Sequence, residues 1–210
     1  DAVTGDDRQI YLGAQTPVQA LVDSPVIQAH AGGLLAHAAR LAAPLTLRHL
    51  ATVGAAWQAA GGPPEIKLAL LALDAAPRLA EAGPAPLLTQ LLLPVLPSRG
   101  LGAALERVAR AARDEAIVAV AVKLCAEAGV VRGVRVAIAG AAPPPQRFLS
   151  AEALLEGQAF TAERLAQFEA HVSAAAAPVA NFRGSAEYRR ALAGVLAARA
   201  VAAAWRQASA

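Results

Sequence analysis

A turn of small residues is the feature of this sequence best suited to hold a ligand. The turn reads Thr52-Val53-Gly54-Ala55-Ala56, and a carboxylate, Glu65, follows nine residues after its end. Because no side chain larger than a methyl group shields the last three positions, we expect bare backbone N–H groups that lie against a phosphate or a flat ring. Such turns are also common as purely structural, packed turns, and the pattern alone favours that alternative.

The other reactive side chains do not combine into a site. His30 and His37 lie seven residues apart without an accompanying cysteine or carboxylate, so we expect them on the surface of one helix face and not at a metal. Cys125 is the single cysteine, which excludes an internal disulfide and a cysteine-ligated iron–sulfur cluster built from this chain alone. No Ser/His/Asp or Cys/His arrangement with a nucleophile elbow is present. The sequence therefore predicts no catalytic residue and no metal site.

Composition narrows the classes of partner. Hydrophobic residues make up 56% of the 210 residues, but aromatic residues only 4%, because much of the apolar content is alanine. The net charge is +3, and the basic residues are scattered arginines without an aromatic ladder, which argues against nucleic-acid binding. Methyl-rich and arginine-rich surfaces are typical of protein interfaces. No run of about 18 residues is free of charge, proline and glycine, so no membrane span is expected.

The elements that must position the turn are short. Predicted elements of the first half are a strand at 10–14, a helix capped by Thr16, a helix at 29–41 ended by Pro44, a helix at 66–75, and strands at 78–80 and 87–93 that cross Gly83-Pro84. A linker at 94–102 follows, because prolines, glycines and a serine interrupt the apolar runs there. The sequence thus predicts two domains, at 1–97 and 98–210.

In the second half, a strand-turn-strand pattern precedes three helices. Residues 118–126 and 130–139 alternate around Glu127-Ala128-Gly129, which is typical of two antiparallel strands. Ser150 and Thr161 are predicted N-caps, each with an acid two residues later. The last helix is predicted to open at 182–190 and to run toward Trp205, with Leu192, Val195 and Leu196 as its buried stripe.

Segments in both halves resemble the FAD-binding medium subunit of the molybdenum hydroxylases, the family of carbon monoxide dehydrogenase and xanthine dehydrogenase. The family's Arg-Asn-x-Ala/Gly-Thr-Ile-Gly-Gly-Asn pattern is matched by Arg48, Ala51, Thr52, Val53 and Gly54, and Glu65 stands where an aspartate follows it. Further matches are 70–75 (Leu-Leu-Ala-Leu-Asp-Ala), Arg110 with Asp114, the proline segment 140–145, and 183–189 (Arg-Gly-Ser-x-Glu-Tyr-Arg), which is the most specific of them.

The resemblance implies an α+β fold. The second FAD-binding subdomain would be followed by a C-terminal three-stranded antiparallel sheet packed on three helices. The residues that it implies at FAD are Arg48, Thr52, Val53, Gly54, Ala55, Ala56 and Glu65. It also implies that a first subdomain, with the loop for the FAD pyrophosphate, precedes these 210 residues; in keeping with that, the sequence has no methionine, and Asp1 is not expected to be a translation start.

The implied function is electron transfer inside a cytoplasmic complex, free or at the inner face of the membrane. A molybdopterin-binding large subunit would oxidise the substrate, and a [2Fe–2S] small subunit would pass the electrons to FAD, which delivers them to an acceptor such as a quinone, NAD or oxygen. A dimer of such heterotrimers is the expected assembly. The molybdenum cofactor and the clusters would lie only in the partner subunits.

Departures from the family pattern leave an alternative open. Gly54-Ala55-Ala56 replaces Gly-Gly-Asn, Glu65 replaces the aspartate, and Glu106 stands where many members have a flavin-proximal lysine. Arg107 is expected to face elsewhere, because neighbouring residues of a strand point to opposite sides. The alternative function is a degenerate, FAD-less structural subunit that holds the molybdenum and iron–sulfur subunits together.

Overall fold

The chain forms two four-stranded antiparallel sheets, one in each half. The computed structural model describes residues 3–82, 85–112 and 114–210, so the predicted crossing at Gly83-Pro84 lies outside the described residues. The last strand of the first sheet ends at Pro94 and the first strand of the second begins at Leu101. Pro94 still pairs with Gln9 at the end of its strand, whereas Pro97 lies in the connection, where it lacks the N–H group that a sheet requires.

The first sheet has the strand order β1-β2-β4-β3. Its strands are β1 (Val3–Gly5), β2 (Gln9–Gly13), β3 (Ala76–Ala82) and β4 (Ala85–Pro94). Alternation along the strands places Ile10, Leu12, Leu91 and Leu93 in the core. The strands predicted at 10–14, 78–80 and 87–93 are confirmed.

Six short helices and one 3-10 turn accompany this sheet in the described residues. They are α1 (Val18–Asp23), α2 (Pro25–Ala29), the 3-10 turn (His30–Gly33), α3 (Leu34–Ala42), α4 (Leu45–Leu50), α5 (Val53–Gln58) and α6 (Glu65–Ala72). Leu21, Ile27, Leu35, Leu68 and Leu70 are fully buried and join the strand residues in one core. The helix predicted at 66–75 is confirmed, with its end three residues earlier.

The single helix predicted at 29–41 is wrong. Ala31, Gly32 and Gly33 have φ angles of 49°, 61° and 75°, which break the helix between α2 and α3. His30 therefore does not share a helix face with His37, and it is buried, with Nε2 2.9 Å from the carbonyl oxygen of Pro94. The predicted surface position is correct only for His37, which is exposed on α3.

The predicted cap of the first helix is also wrong. Pro17 occupies the N-cap position of α1, and no side chain caps that helix. The hydroxyl of Thr16 is instead buried and has no hydrogen-bond partner.

The second sheet consists of three long strands and one very short strand, in the order β5-β6-β7-β8. These strands are β5 (Leu101–Val108), β6 (Val118–Glu127), β7 (Val130–Ala139) and β8 (Gln146–Arg147). Ala128 and Gly129, with φ angles of 49° and 80°, make the tight turn between β6 and β7. The predicted three-stranded antiparallel sheet is confirmed, and the structure adds the two-residue edge strand β8.

Three helices cover this sheet, as predicted: α7 (Leu149–Leu155), α8 (Ala162–Ala175) and α9 (Ala186–Ala208). Helices α7 and α9 contact the strands, and α8 packs on these two helices. Thr161 caps α8, since its hydroxyl accepts from the N–H of Arg164 at 3.2 Å. Ser185 caps α9 in the same way. The predicted cap at Ser150 is wrong. Helix α7 begins at Leu149, so Ser150 lies inside the helix and Phe148 occupies the N-cap position.

Helix α9 lies directly on the sheet backbone. A Cβ atom at Gly102 of β5 would meet the carbonyl oxygen of Ala204 at 1.8 Å. The helix face toward the sheet is built largely from alanine, including the fully buried Ala193, Ala197, Ala200 and Ala204. This close approach requires glycine at position 102 and small residues on the helix.

One carboxylate joins the two halves. Asp74, at the end of α6 with a φ of 56°, accepts hydrogen bonds from three cations of the second sheet. The donors are Lys123 Nζ at 3.1 Å, Arg135 Nε at 2.6 Å and Arg147 Nη1 at 2.9 Å. Burial would raise the pKa of Asp74, but the hydrogen bond from Arg135 and the charge of Lys123 outweigh it and hold the pKa below its ordinary value.

Candidate functional site

The small-residue turn forms the start of helix α5. Thr52 is the N-cap, and its hydroxyl accepts from the N–H of Ala55 at 3.2 Å. The N–H groups of Val53 and Gly54 donate to the carbonyl oxygens of Thr16 and Ala14, at 2.9 and 2.8 Å. The N–H of Ala56 donates to the carbonyl oxygen of Thr52 at 3.0 Å. The expectation of bare N–H groups is therefore wrong, because the fold itself uses all of them.

Gly54 serves a protein contact. A Cβ atom at this position would lie 2.8 Å from the carbonyl oxygen of Ala14, so only glycine lets α5 approach the end of β2 this closely. Val53 and Gly54 are buried, whereas Ala55 is exposed and Thr52 and Ala56 are half-buried. Of the predicted segment, Ala55 and its two half-buried neighbours offer the surface that a ligand would meet.

Arg48 belongs to α4 and is held by its own neighbours. Its Nε donates to Oε1 of Gln19 on α1 at 2.8 Å, and its Nη1 donates to the carbonyl oxygen of Arg40 on α3 at 3.3 Å. Helix α4 buries no residue at all. Leu45, Leu47 and Leu50 on it are exposed, Leu50 by 79%.

Glu65 is the most unusual of the predicted residues. It begins α6, only 1% exposed, and its Oε1 lies 3.1 Å from Nε of Arg107 on β5. This is an ion contact without hydrogen-bond geometry, since both carboxylate oxygens and Nε of Arg107 lack hydrogen-bond partners. Desolvation raises the pKa of Glu65 above its ordinary value, although its own N–H group and Arg107 oppose the shift.

Arg107, and not Glu106, faces this carboxylate. The expectation that Arg107 points elsewhere is thus wrong. Its guanidinium also donates to the carbonyl oxygens of Ala112 and Asp114. Glu106 points to the other side of β5, where it lines a shallow pocket with Arg199 and Arg206 of α9.

These residues supply acceptors and small side chains but few free donors. FAD carries a pyrophosphate, which requires N–H groups or cations, and also hydroxyl and ring N–H groups, which require acceptors. The N–H groups of the turn and Arg48 already have protein partners. The hydroxyl of Thr16 and the carboxylate of Glu65 are buried acceptors without hydrogen bonds. The donor set fits FAD only in part, and pyrophosphate donors must come from other residues.

Other kinds of site find no support in the described ranges 3–82, 85–112 and 114–210. They contain no group of three or more His, Cys, Asp or Glu side chains placed to hold a metal ion. None of their helices has the length and apolar character that a membrane span requires.

Comparison with known proteins shows what this chain is similar to. Residues 103–204 match the model of the CO dehydrogenase flavoprotein C-terminal domain. The chain is 28% identical over 218 aligned positions to the carbon monoxide dehydrogenase medium chain of Hydrogenophaga pseudoflava, covering 93% of this chain and 75% of that one. Over most of its length the chain is therefore similar to the medium chain of carbon monoxide dehydrogenase, and its second half matches the flavoprotein C-terminal domain of that enzyme.

Solved structures of carbon monoxide dehydrogenase share the whole architecture. Carbon monoxide dehydrogenase of H. pseudoflava, in a form that lacks the Mo-pyranopterin moiety, superposes with a TM-score of 0.89 at 28% identity, covering 98% of this chain and 78% of that one. The reconstituted enzyme of Oligotropha carboxidovorans gives a TM-score of 0.87 at 27% identity over the same shares. The resemblance of the sequence to the medium subunits, and the α+β fold that it implied, are confirmed.

The sequence did not predict the contacts of two residues, Asp74 and Thr16. Asp74 was noted only as part of the matching segment 70–75, although it accepts from three cations of the other half. A single aspartate ending an apolar helix was the available signal, but its partners lie 49 to 73 positions away. Thr16 was expected to be a helix cap and is instead an unpaired buried hydroxyl beside the turn.

Proposed function

We propose that this chain is the medium subunit of a molybdenum hydroxylase-type oxidoreductase complex. In this function it passes electrons from [2Fe–2S] clusters through FAD to an external acceptor. The observation that carries the proposal is the match to a carbon monoxide dehydrogenase medium chain over 93% of this chain. The structural match to carbon monoxide dehydrogenase, which covers 98% of this chain, supports it further.

This chain would contribute a surface of small residues and hydrogen-bond acceptors to the FAD site. When bound, FAD converts between two-electron and one-electron transfer. Exposed Ala55 and half-buried Thr52 and Ala56 would let the cofactor approach the backbone closely, and Val53 and Gly54 would set the position of that backbone. Glu65 would accept a hydrogen bond from a hydroxyl or ring N–H group, and Arg107 would fix its orientation. Arg48 would support the turn from α4.

The two proposed domains would have different roles. Residues 1–97 would carry the flavin-facing surface, and residues 98–210 would hold Arg107 and the α9 framework in place. The proposed partners are a molybdopterin-binding large subunit and a [2Fe–2S] small subunit, in a dimer of heterotrimers in the cytoplasm or at the inner face of the membrane. Oxidation of the substrate would occur in the large subunit, so no residue of this chain is proposed to be catalytic.

A flavin assay on the purified native complex tests the proposal. The complex would be denatured, and the absorbance spectrum of the supernatant compared with that of authentic FAD. About one FAD per copy of this chain, together with molybdenum and iron in the same complex, is the expected result. A chain that purifies without molybdenum- or iron-containing companions would contradict the proposed assembly.

A second candidate function has its own structural support. The N–H groups of Val53, Gly54, Ala55 and Ala56 are all used inside the protein, so the turn offers no free donor to a phosphate. This favours a FAD-less structural subunit that holds the molybdenum and iron–sulfur subunits together. The same assay separates the two functions, because an intact complex with a colourless supernatant would support the structural function.

A further inference from the structure

A cleft with a volume of about 300 Å³ lies where the α5–α6 connection meets the second half of the chain. One wall is the connection 59–64. The opposite walls are the proline segment 143–145 and the loop 178–183 that precedes α9. Because alanine, glycine and proline dominate these walls, the polar character of the cleft comes from a few side chains.

The cleft has an excess of positive charge. Lys67, Arg183 and Arg189 line it, and Glu115 is the single carboxylate among its described lining residues. This carboxylate is already paired, since Nη2 of Arg183 lies 2.7 Å from its Oε2. In the part of the chain that the structure describes, neither Lys67 nor Arg189 has a carboxylate oxygen within 4.0 Å.

Arg189 is the best evidence that an anion belongs here. It is only 6% exposed, and its guanidinium donates to three neutral acceptors: the carbonyl oxygens of Ile117 at 2.9 Å and Gly184 at 3.5 Å, and Oδ1 of Asn181 at 2.5 Å. Burial and then the charge of Arg183 lower the pKa of Arg189. A guanidinium nevertheless keeps its proton in proteins, so a buried positive charge remains, and the carboxylate that attracts it, Glu115, is already ion-paired with Arg183.

Lys67 lies on the opposite side of the cleft and is only partly used. Its ammonium donates one long hydrogen bond, 3.3 Å, to the carbonyl oxygen of Ala59. An ammonium has three donors, so this side chain has capacity to bind an additional acceptor. Two cations therefore approach one volume from two different elements, α6 and α9.

We propose that this cleft binds a small organic anion, a carboxylate or a phosphate ester, between Lys67 and Arg189. The volume is at the lower end of ordinary small-molecule sites, and apolar walls with a few convergent charges are typical of them. Apart from Ala56, none of the residues predicted to contact flavin lines the cleft. The proposal therefore does not require bound flavin, although the two sites share Ala56.

Titration calorimetry on the full-length protein tests the proposal, with citrate and glycerol 3-phosphate as separate probes and potassium chloride at matched ionic strength as the reference. Heat of binding from at least one probe, together with a rise in unfolding temperature, is expected, and the two probes distinguish a carboxylate from a phosphate ligand. Lys67→Gln should weaken that binding about tenfold, because it removes a charge-assisted hydrogen bond. Arg199→Gln, which removes an exposed charge on the outer flank of α9, is the matched control and should leave it unchanged.

Glu115→Gln gives a prediction of opposite sign. It releases Arg183 from its ion pair and adds a positive charge to the cleft, so the same probe should bind several-fold more tightly. Absence of binding beyond that of chloride would overturn the proposal, as would equal effects of Lys67→Gln and Arg199→Gln. If Lys67→Gln does not fold, Glu115→Gln decides, and unchanged or weaker binding in that variant would also overturn the proposal.

Discussion

Nε of Arg107 lies 3.1 Å from Oε1 of Glu65, so a strand of the second half supplies the counter-ion for a carboxylate of the first. The pair is buried, with 12% and 1% of the two side chains exposed. Neither Nε nor the carboxylate oxygens make a hydrogen bond. Stability thus depends on one close ion contact that compensates the burial of a charge.

Arg107→Gln should destabilise the protein, and more so at high pH. Removal of one member of a buried ion pair costs about 3 kcal/mol, because the remaining charge is left uncompensated. At low pH, Glu65 can take up a proton and relieve this cost, so the loss in the free energy of unfolding should grow as the pH rises from the ordinary value of 4.5 through the raised pKa of Glu65. Urea denaturation across this range measures it. A loss that does not change with pH would show that Glu65 is not the group affected.

Glu65→Gln should remove a pH dependence from the wild-type protein. The folded-state pKa of Glu65 is raised above its ordinary value of 4.5, so the folded protein holds this proton more tightly than the unfolded chain. The resulting stabilisation is fully present below 4.5 and is lost as the pH rises through the folded-state pKa. The wild-type free energy of unfolding, minus that of Glu65→Gln, should therefore fall as the pH rises. A difference that is flat or rises would contradict the assigned direction.

Asp74→Asn should loosen the contact between the two halves. The substitution keeps the shape and tolerates the positive φ, since asparagine adopts that conformation readily. It leaves Lys123, which is only 5% exposed, without its anionic partner, and the expected loss is about 3 kcal/mol. Urea denaturation should show this loss, whereas Asp7→Asn, at an exposed aspartate, should change stability by less than about 0.5 kcal/mol. Equal effects of the two substitutions would rule out a specific contribution of Asp74.

Ala55→Gly combined with Ala56→Asn restores the Gly-Gly-Asn of the family pattern. We expect more FAD per complex, because a methyl group is removed where the cofactor would approach and an amide is added. The glycine should cost about 1 kcal/mol of stability. Ala174→Gly, at an exposed position of α8, carries a similar cost and serves as the control. A flavin content equal in all three proteins would argue against Ala55 and Ala56 as cofactor contacts.

Gly102→Ala should prevent the close packing of α9 on β5. The added Cβ would lie 1.8 Å from the carbonyl oxygen of Ala204, so the helix must move, at an expected cost of about 3 kcal/mol or more. Gly61→Ala is the control, because nothing lies within 4 Å of its added Cβ. Thermal unfolding of the two variants gives the comparison, and a similar stability for both would show that α9 can shift freely.

The helices and strands that were predicted correctly are those specified by sequence signals within a few residues. Alternation from 118 to 139 and the caps at Thr161 and Ser185 specified β6, β7, α8 and α9, because each signal acts within a few residues. The break at 31–33 also had a local signal, because a Gly-Gly dipeptide such as Gly32-Gly33 is typical of turns, and the predicted helix at 29–41 disregarded it. Only the positive φ of Ala31 had no local signal, since alanine rarely adopts that conformation.

The small-residue turn at Thr52 makes a contact within the chain that its sequence pattern did not predict. The pattern predicted that a ligand approaches the backbone there, but the group that lies against Gly54 is Ala14 of the same chain. Contact of this segment with a cofactor stays a prediction. Strand alternation correctly separated Glu106 from Arg107. Which of the two faces Glu65 depends on how α6 and α9 dock on the second sheet, and no local pattern encodes that arrangement.

The alanine face of α9 means that this half of the molecule is held together by backbone proximity more than by interlocking side chains. Alanine has no rotamers to lose, so bringing the helix to the sheet costs little side-chain entropy. For the same reason the contact between helix and sheet cannot adjust, because it contains no flexible side chain that could rearrange around an added methyl group. The helix should therefore respond to an enlarged residue as a rigid rod, transmitting a displacement at Gly102 along its length to Arg189 at the other end.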